Sequence, residues 1–268
     1  MRSSLGGGRG GVKNAPVIAL TTDFGLEDPF VGIMKGVILS ICPLARLVDV
    51  THGIPPQDLL SGCLALEAAA PFFPAGTVHV AVVDPGVGTR RPAVAVRTAR
   101  ALFVAPDNGL LTFLAEAEVE EVRRIENPDL WLHPVSRTFH GRDVFAPVAA
   151  HLAAGVPLER VGPPAGGIHR IRVPRALRDG DTVRGEILAF DRFGNALTSI
   201  RRGDVGFEPG ALEVAGRRVP VLPAYAEAPP GEPLALWGST GRLEVSVREG
   251  SARRDLGLKR GDPVRVVP

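Results

Sequence analysis

The sequence predicts an α/β protein: a largely parallel sheet with flanking helices in the N-terminal part, followed by a smaller all-β barrel domain. Three observations carry that expectation. Short apolar runs alternate with amphipathic segments of helix length through the first half, and strands joined by such segments return in the same direction. Beyond the Gly/Pro cluster VGPPAGG, short strands and turns replace the helical periodicity. Hydrophobic residues make up 45% of the 268, enough to bury a core in one large or two smaller domains.

The elements follow in order. Residues 1–14 are Gly- and Ser-rich and lack the apolar middle of a secretory signal, so they read as a disordered leader. Pro16 to Thr22 is an apolar strand that runs into Asp-Phe-Gly. Phe30, Ile33, Met34, Val37, Ile38 and Ile41 recur at helical spacing, with Asp28 as cap and Pro29 in the first turn. Arg46 to Val50 is the next strand and Gln57 to Ala70 the next helix. Thr77 to Val83, Ala93 to Val96 and Ala101 to Ala105 complete the strands of the first domain, 15–172. In the second, 173–268, the expected strands are Val183 to Ala189, Ala211 to Val214, Arg217 to Leu222, Pro233 to Trp237, Arg242 to Val247 and Pro263 to Val267, without a helix among them.

Composition excludes several classes. The formal net charge is +2, and Arg2, Arg9 and Lys13 supply three of the positive charges, so the remainder sums to −1. Such a body lacks the basic footprint that a nucleic-acid backbone demands, and the run Arg170, Arg172, Arg175, Arg178 reads as solvated surface. No stretch approaches the ~18 apolar residues that span a bilayer. Cys42 and Cys63, each in an apolar helical pattern, read as core residues of a cytoplasmic protein. The six histidines show no zinc-ligand spacing with cysteine, and no metal is expected.

Polar residues follow apolar strands, or sit among glycines, in four places. These are Thr21-Thr22-Asp23-Phe24-Gly25, the loop from Asp84 to Arg91 after TVHVAVV, Thr138 to Asp143, and Asp191 to Thr198. Singly, each is explained by a turn or a helix cap. Together the first three put Asp, Arg and His on loops of an α/β sheet, which is material for handling a proton. In the fourth, Asn195 can face a base edge and Asp191 an amine.

Seven stretches appear in one order: TTDFGLEDPFVGIMKG, VDVTHGIPPQD, VVDPGVGT, APDNGLLT, FHGRDVFAPVAAHLAAG, FDRFGNALTSI and WGSTGRLEV. In this order they resemble the S-adenosylmethionine hydrolase family, which is related to adenosylmethionine-dependent fluorinases and chlorinases. The resemblance implies an N-terminal α/β domain, a C-terminal β-barrel and a homotrimer with active sites between subunits. It implies S-adenosylmethionine as substrate, no separate cofactor, and water as nucleophile at the 5′ carbon. The water-activating roles fall on Asp84, Arg91 and His140. Asp23 is expected to hold the ribose hydroxyls and Asn195 to read adenine, with Phe193 and Tyr225 stacking on it. Asp191, Ser239 and Asp28 would face the methionine part, and Glu244 would complete the site near the adenosine. Arg248-Glu249-Gly250 departs from relatives, which place Asn there.

The same resemblance separates hydrolase from halogenase. Halogenases carry Tyr in place of Asp84 and lack the His; fluorinases have Ser in place of Gly141 and an insertion where this chain passes quickly from Arg97 to Leu102. A non-catalytic S-adenosylmethionine or adenosine sensor, the alternative from another class, would keep Asp23 and Asn195 and lose the water-handling set. For the hydrolase, either Asp84 or His140 accepts the proton of the attacking water.

Overall fold

The computed structural model describes residues 15–268, so the leader expected over 1–14 lies outside the described residues. The chain divides into two compact units, one ending at Ile171 and the other running from Arg172 to Pro268. The first is a six-stranded sheet with helices on both faces. It contains β1 (Val17–Thr22), α1 (Phe30–Ile41), β2 (Arg46–Thr51), α2 (Leu59–Ala69), β3 (Thr77–Val82), β4 (Ala93–Thr98), β5 (Ala101–Pro106), β6 (Val119–Arg124) and α3 (Ala146–Ala153). The sheet order is β2-β1-β3-β5-β4-β6. All neighbours are parallel except β4, which runs against β5 and β6 because a two-residue turn, Ala99-Arg100, joins it to β5 as a hairpin.

Strand β3 is buried at every position, as a central parallel strand must be. Its side chains alternate between two cores. Val78, Val80 and Val82 pack with Met34, Ile38, Phe145 and Val148 under α1 and α3. On the opposite face Ala81 and Val83 pack with Leu66 of α2 and with Phe103 and Leu110.

Several local expectations are corrected. Asp28 does not cap α1: the helix begins at Phe30, Pro29 is the cap position, and no side chain caps it. Helix α2 starts at Leu59 because Asp58 takes the cap, its Oδ1 accepting the Ser61 N–H at 3.1 Å. Gln57 is left outside in a left-handed conformation, φ 67°. Strand β6 (VEEVRR) and helix α3 were not expected from the sequence. Cys42 and Cys63 are buried and form no disulfide.

The second unit is an antiparallel, nearly closed barrel. Its strands are β7 (Leu177–Asp179), β8 (Thr182–Phe190), β9 (Ala196–Arg201), β10 (Ala211–Val214), β11 (Arg217–Pro220), β12 (Pro233–Trp237), β13 (Arg242–Val247) and β14 (Pro263–Val267). They follow the order β11-β10-β14-β8-β9-β13-β12, with β7 beside β8. The Leu222 N–H donates to the Ala235 carbonyl at 2.8 Å and draws the two ends of the sheet together. Ile187, Ile200, Leu212, Leu243, Val245 and Val266 fill the interior. A short helix, α4 (Ala252–Asp255), interrupts the strands and corrects the expectation of none; Ser251 caps it through the Arg254 N–H.

Candidate active site

Strands β1 and β3 are parallel neighbours with Thr22 opposite Val82, so the residues that follow them, Asp23 and Asp84, emerge at the same carboxyl edge of the sheet. The loop from Asp84 then folds back on itself. Val87 N–H donates to the Asp84 carbonyl and Thr89 N–H to the Gly86 carbonyl, each at 3.2 Å. Gly88 is needed there: its φ is +76°, and a Cβ would stand 2.3 Å from the Arg137 carbonyl oxygen. The fold-back returns Arg91 to Asp84, seven residues earlier.

Arg91 grips the carboxylate with both arms of its fork. Its Nε donates to Asp84 Oδ1 at 2.8 Å, and its Nη2 donates to Oδ2. The same Nη2 lies 2.9 Å from His140 Nδ1. A guanidinium nitrogen only donates, so Nδ1 accepts and the ring proton sits on Nε2. The guanidinium carbon stands 5.2 Å from the centroid of the Phe145 ring. Burial, and then the Arg91 cation, lower the His140 pKa against the opposing pull of Asp84 and Asp143, which keeps the imidazole neutral at pH 7.

His140 leads into a π-helical turn, Gly141–Phe145, that joins α3. Asp143, fully buried in that turn, accepts Arg142 Nε at 2.6 Å and the Ser136 N–H at 2.7 Å. Its carboxylate is thereby engaged in holding the segment that carries Phe139 and His140. No group of three His, Cys, Asp or Glu side chains among the described residues is placed to hold a metal ion.

Asp23 is clamped from the other side. Its Oδ2 accepts the Gln57 N–H at 2.7 Å, the contact that the left-handed Gln57 makes possible. Thr22 Oγ1 lies 2.7 Å from the Nδ1 of buried His52, whose backbone carbonyl accepts the Gly25 N–H at 2.9 Å. A cavity of about 400 Å³ opens between these walls, lined among others by Asp23, Asp84 and His140. Arg91 stands behind them, its side chain 11% exposed and outside the lining.

Three further lining residues escaped the sequence reading: Phe24, Phe30 and Phe139, whose ring centroids lie 5.1–5.9 Å apart. Aromatics are only 5% of the chain, so a Phe beside the polar motifs was an available signal. Asp28, in contrast, is exposed and does not line the cavity.

The remaining expected residues lie in the barrel. Asp191 organises its own loop: Oδ1 accepts the N–H groups of Phe193 and Asn195, both at 2.9 Å, and Oδ2 accepts Asn195 Nδ2 at 2.8 Å. The Asn195 amide oxygen and the second Nδ2 hydrogen take no part in these bonds. Tyr225 donates its hydroxyl proton to Glu244 Oε2 at 3.1 Å. Burial raises the Glu244 pKa, the Tyr225 hydrogen bond opposes this, and the Asp191 charge adds to the rise, so Glu244 and Asp191 sense each other. Glu244 lies against Gly238, where a Cβ would be 1.8 Å from Oε1. Ser239 occupies the exposed tip of the β12–β13 hairpin, and Phe193 is 76% exposed.

Comparisons with known proteins agree with this architecture. The SAM hydroxide adenosyltransferase N-terminal domain matches residues 18–162 and the corresponding C-terminal domain matches 185–265. An (R)-S-adenosyl-L-methionine hydrolase of Thermus thermophilus is 48% identical over 94% of this chain and 99% of its own length. One from Salinispora arenicola is 43% identical over 95% and 99%. A crystal structure of an uncharacterized conserved protein from Thermotoga maritima superposes with a TM-score of 0.88 at 38% identity, covering 94% of this chain and all of that one. A fluorinase of Nocardia brasiliensis matches at 31% identity over 94% and 96%. The chain belongs to the SAM hydroxide adenosyltransferase family.

Proposed function

We propose that this chain is an enzyme that hydrolyses S-adenosyl-L-methionine to adenosine and L-methionine. The observation that carries the reading is the Asp84–Arg91–His140 set, assembled at one wall of a cavity that Asp23 also lines. The hydrolase relatives, at higher identity than the fluorinase, support the same reading.

The chemistry asks little of the leaving group. As the oxygen of water bonds to the 5′ carbon, the carbon–sulfur bond breaks and its electron pair neutralises the sulfonium. One proton is released from the water. Ionising free water first at pH 7 would cost about 12 kcal/mol, so the proton has to leave as the new bond forms. Asp84 offers lone pairs that Arg91 does not use, while His140, protonated on Nε2, donates and orients. Asp84 is accordingly the proton acceptor, and Arg91 fixes its carboxylate rather than touching the water. The aromatic trio Phe24, Phe30 and Phe139 gives the cavity an apolar wall, and an apolar lining favours a step in which charge disappears.

Asp23 holds the ribose hydroxyls in this reading. On the barrel, Asn195 reads adenine, Phe193 and Tyr225 stack on it, and Glu244 lies near the adenosine; Asp191, Ser239 and Asp28 face the methionine part. The substrate brings its own leaving group, so the reaction needs no cofactor. The protein works in the cytoplasm as a homotrimer with its sites between subunits. Exposed Leu26, Phe30 and Ile33 on the first unit and Phe193 on the barrel support an assembly that covers them. Light scattering tests the trimer: a mass near three times 28.3 kDa is expected, and a fully active monomer removes it.

The activity is tested by incubating the protein with S-adenosyl-L-methionine of each sulfonium configuration, since the relatives' names carry the (R) descriptor. Adenosine and methionine in equal amounts are expected. Tight binding without adenosine would establish a sensor instead. A 5′-halogenated nucleoside would establish a halogenase. Gly141 speaks against the latter, because it offers no hydroxyl to a halide, and a Cβ there would sit 3.1 Å from both Met34 Sδ and a Phe139 ring carbon, so a serine would need those side chains to give way by a few tenths of an ångström.

A further inference from the structure

We infer that the Asp107-Asn108 turn is a brace that sets the spacing between Asp84 and Arg91, with Asn108 as the positioning residue. The catalytic half of this inference rests on the hydrolase reading above. The turn belongs to APDNGLLT, whose polar residues the proposed chemistry does not use, and it follows β5 directly.

The Asp84–Arg91 loop enters from Val83 and leaves through Pro92, and the turn holds both ends. Asn108 Nδ2 donates to the Val83 carbonyl at 2.8 Å. The Asp107 N–H donates to the Pro92 carbonyl at 3.0 Å. The contact at Val83 is the less replaceable. Val83 is fully buried, and the β3–β5 ladder ends at the Val80–Val104 pair, so no neighbouring strand of that pair serves its carbonyl. Without Asn108 that oxygen loses its partner, and a buried carbonyl without one tends to turn toward any donor or water it can reach. The peptide that would turn is the one bonded to Asp84.

The turn is itself anchored. The Asn108 Oδ1 accepts the Leu110 N–H at 3.3 Å, and Asp107 Oδ1 accepts the His169 N–H at 2.6 Å. Thr112 Oγ1 accepts the Ile171 N–H at 2.9 Å, and Arg170 Nη1 donates to the carbonyls of Thr112 and Leu114 at 3.0 and 2.7 Å. Arg170, which reads as solvated surface in the sequence, thus contributes to the anchor. Gly109, at φ +100°, admits Ile171, whose Cγ2 would lie 2.4 Å from a Cβ. A side chain one hydrogen bond away from the peptide that carries Asp84 therefore fixes the fork-to-carboxylate geometry on which the water-handling set depends.

The test reads that geometry directly. In nitrogen-15 NMR, the Arg91 Nε–H, identified by its loss in Arg91→Lys, should appear as a slowly exchanging signal because Asp84 holds it. Asn108→Ala should lose that protection and lower kcat on the order of tenfold to a hundredfold, the usual consequence of an ångström-scale misplacement, with KM close to wild type. Asn108→Gln, which keeps an amide donor, should restore both in part. If the Asn108→Ala protein does not fold, Asn108→Asp keeps the volume and the acceptor for Leu110 but removes the donor, and should behave as Ala. An Arg91 signal unchanged from wild type in the folded donor-less variant overturns the brace, whatever turnover does. Loss of that signal in a protein whose wild type never hydrolyses S-adenosyl-L-methionine would leave the brace standing and remove the hydrolase reading alone.

Discussion

His79 sits on β3, five residues before Asp84, and its imidazole is 1% exposed. Neither ring nitrogen has a hydrogen-bond partner. The ring stacks on Phe103 at 4.9 Å and meets Phe73 edge-on at 5.1 Å. Burial lowers its pKa from 6.5 to about 4. The folded protein therefore keeps His79 neutral while the unfolded chain takes up a proton as pH falls below 6.5, and stability drops until about pH 4. Across the whole window that shift amounts to about 3 kcal/mol, of which about 2 kcal/mol is lost between about pH 7.5 and about pH 5. His79→Phe keeps the ring and removes both unpartnered nitrogens. It should stabilise the first unit by about 1 kcal/mol at neutral pH, since a buried polar group without a partner costs that or more. The advantage should grow by about 2 kcal/mol at about pH 5. Urea unfolding of both proteins at the two pH values measures this. Parallel loss of stability in wild type and variant would refute the reasoning.

Three further outcomes are expected. Asp84→Asn, Arg91→Ala and His140→Ala should each lower kcat steeply while calorimetric affinity changes much less, and double variants should be little worse than the worst single, as for residues acting as one unit. The lowered His140 pKa keeps the ring neutral above 6.5, so kcat should be flat through neutral pH and fall only below that value, as a proton on Nδ1 would face the Arg91 cation; a fall centred above 6.5 contradicts this. Gly238→Ala drives a methyl group into Glu244 and should weaken substrate affinity measured by calorimetry; unchanged affinity would remove Glu244 from the site.

Much of this was legible in the sequence where one physical signal dominated. Strands β3, β4 and β5 stand out as apolar runs, and six of the eight barrel strands announce themselves between turns, whereas β7 and β9 do not. Signals failed where local pattern and tertiary context disagree. Strand β6 is Val-Glu-Glu-Val-Arg-Arg, four charges in six residues, and becomes a strand because β4 offers it an edge. Helix α3 has small apolar residues on all sides, so it lacks the polar stripe by which an amphipathic helix is recognised. Asp28 looked like a cap, but Pro29 already supplies helical φ, and the chain turns before Asp28 can reach a free N–H.

The site was legible in its residues and not in its wiring. Asp84, Arg91 and His140 could be picked out as acid, cation and imidazole on loops. That Arg91 lies behind Asp84, and that its Nη2 fixes the His140 tautomer, follows only from the fold-back through Gly88. Asn108 looked like an ordinary turn residue, because the carbonyl it serves is distant in sequence. Nothing in a one-dimensional pattern records such a partner.

The central claim is that the water-handling set makes water the nucleophile at the 5′ carbon. The most direct measurement is a reaction run in oxygen-18 water with chloride and fluoride present, comparing wild type with Asp84→Asn. The account predicts one heavy oxygen on the 5′ hydroxyl of adenosine, no halogenated nucleoside, and a label appearing far more slowly in the variant. A halogenated nucleoside as main product, or labelling in Asp84→Asn at the wild-type rate, would contradict it.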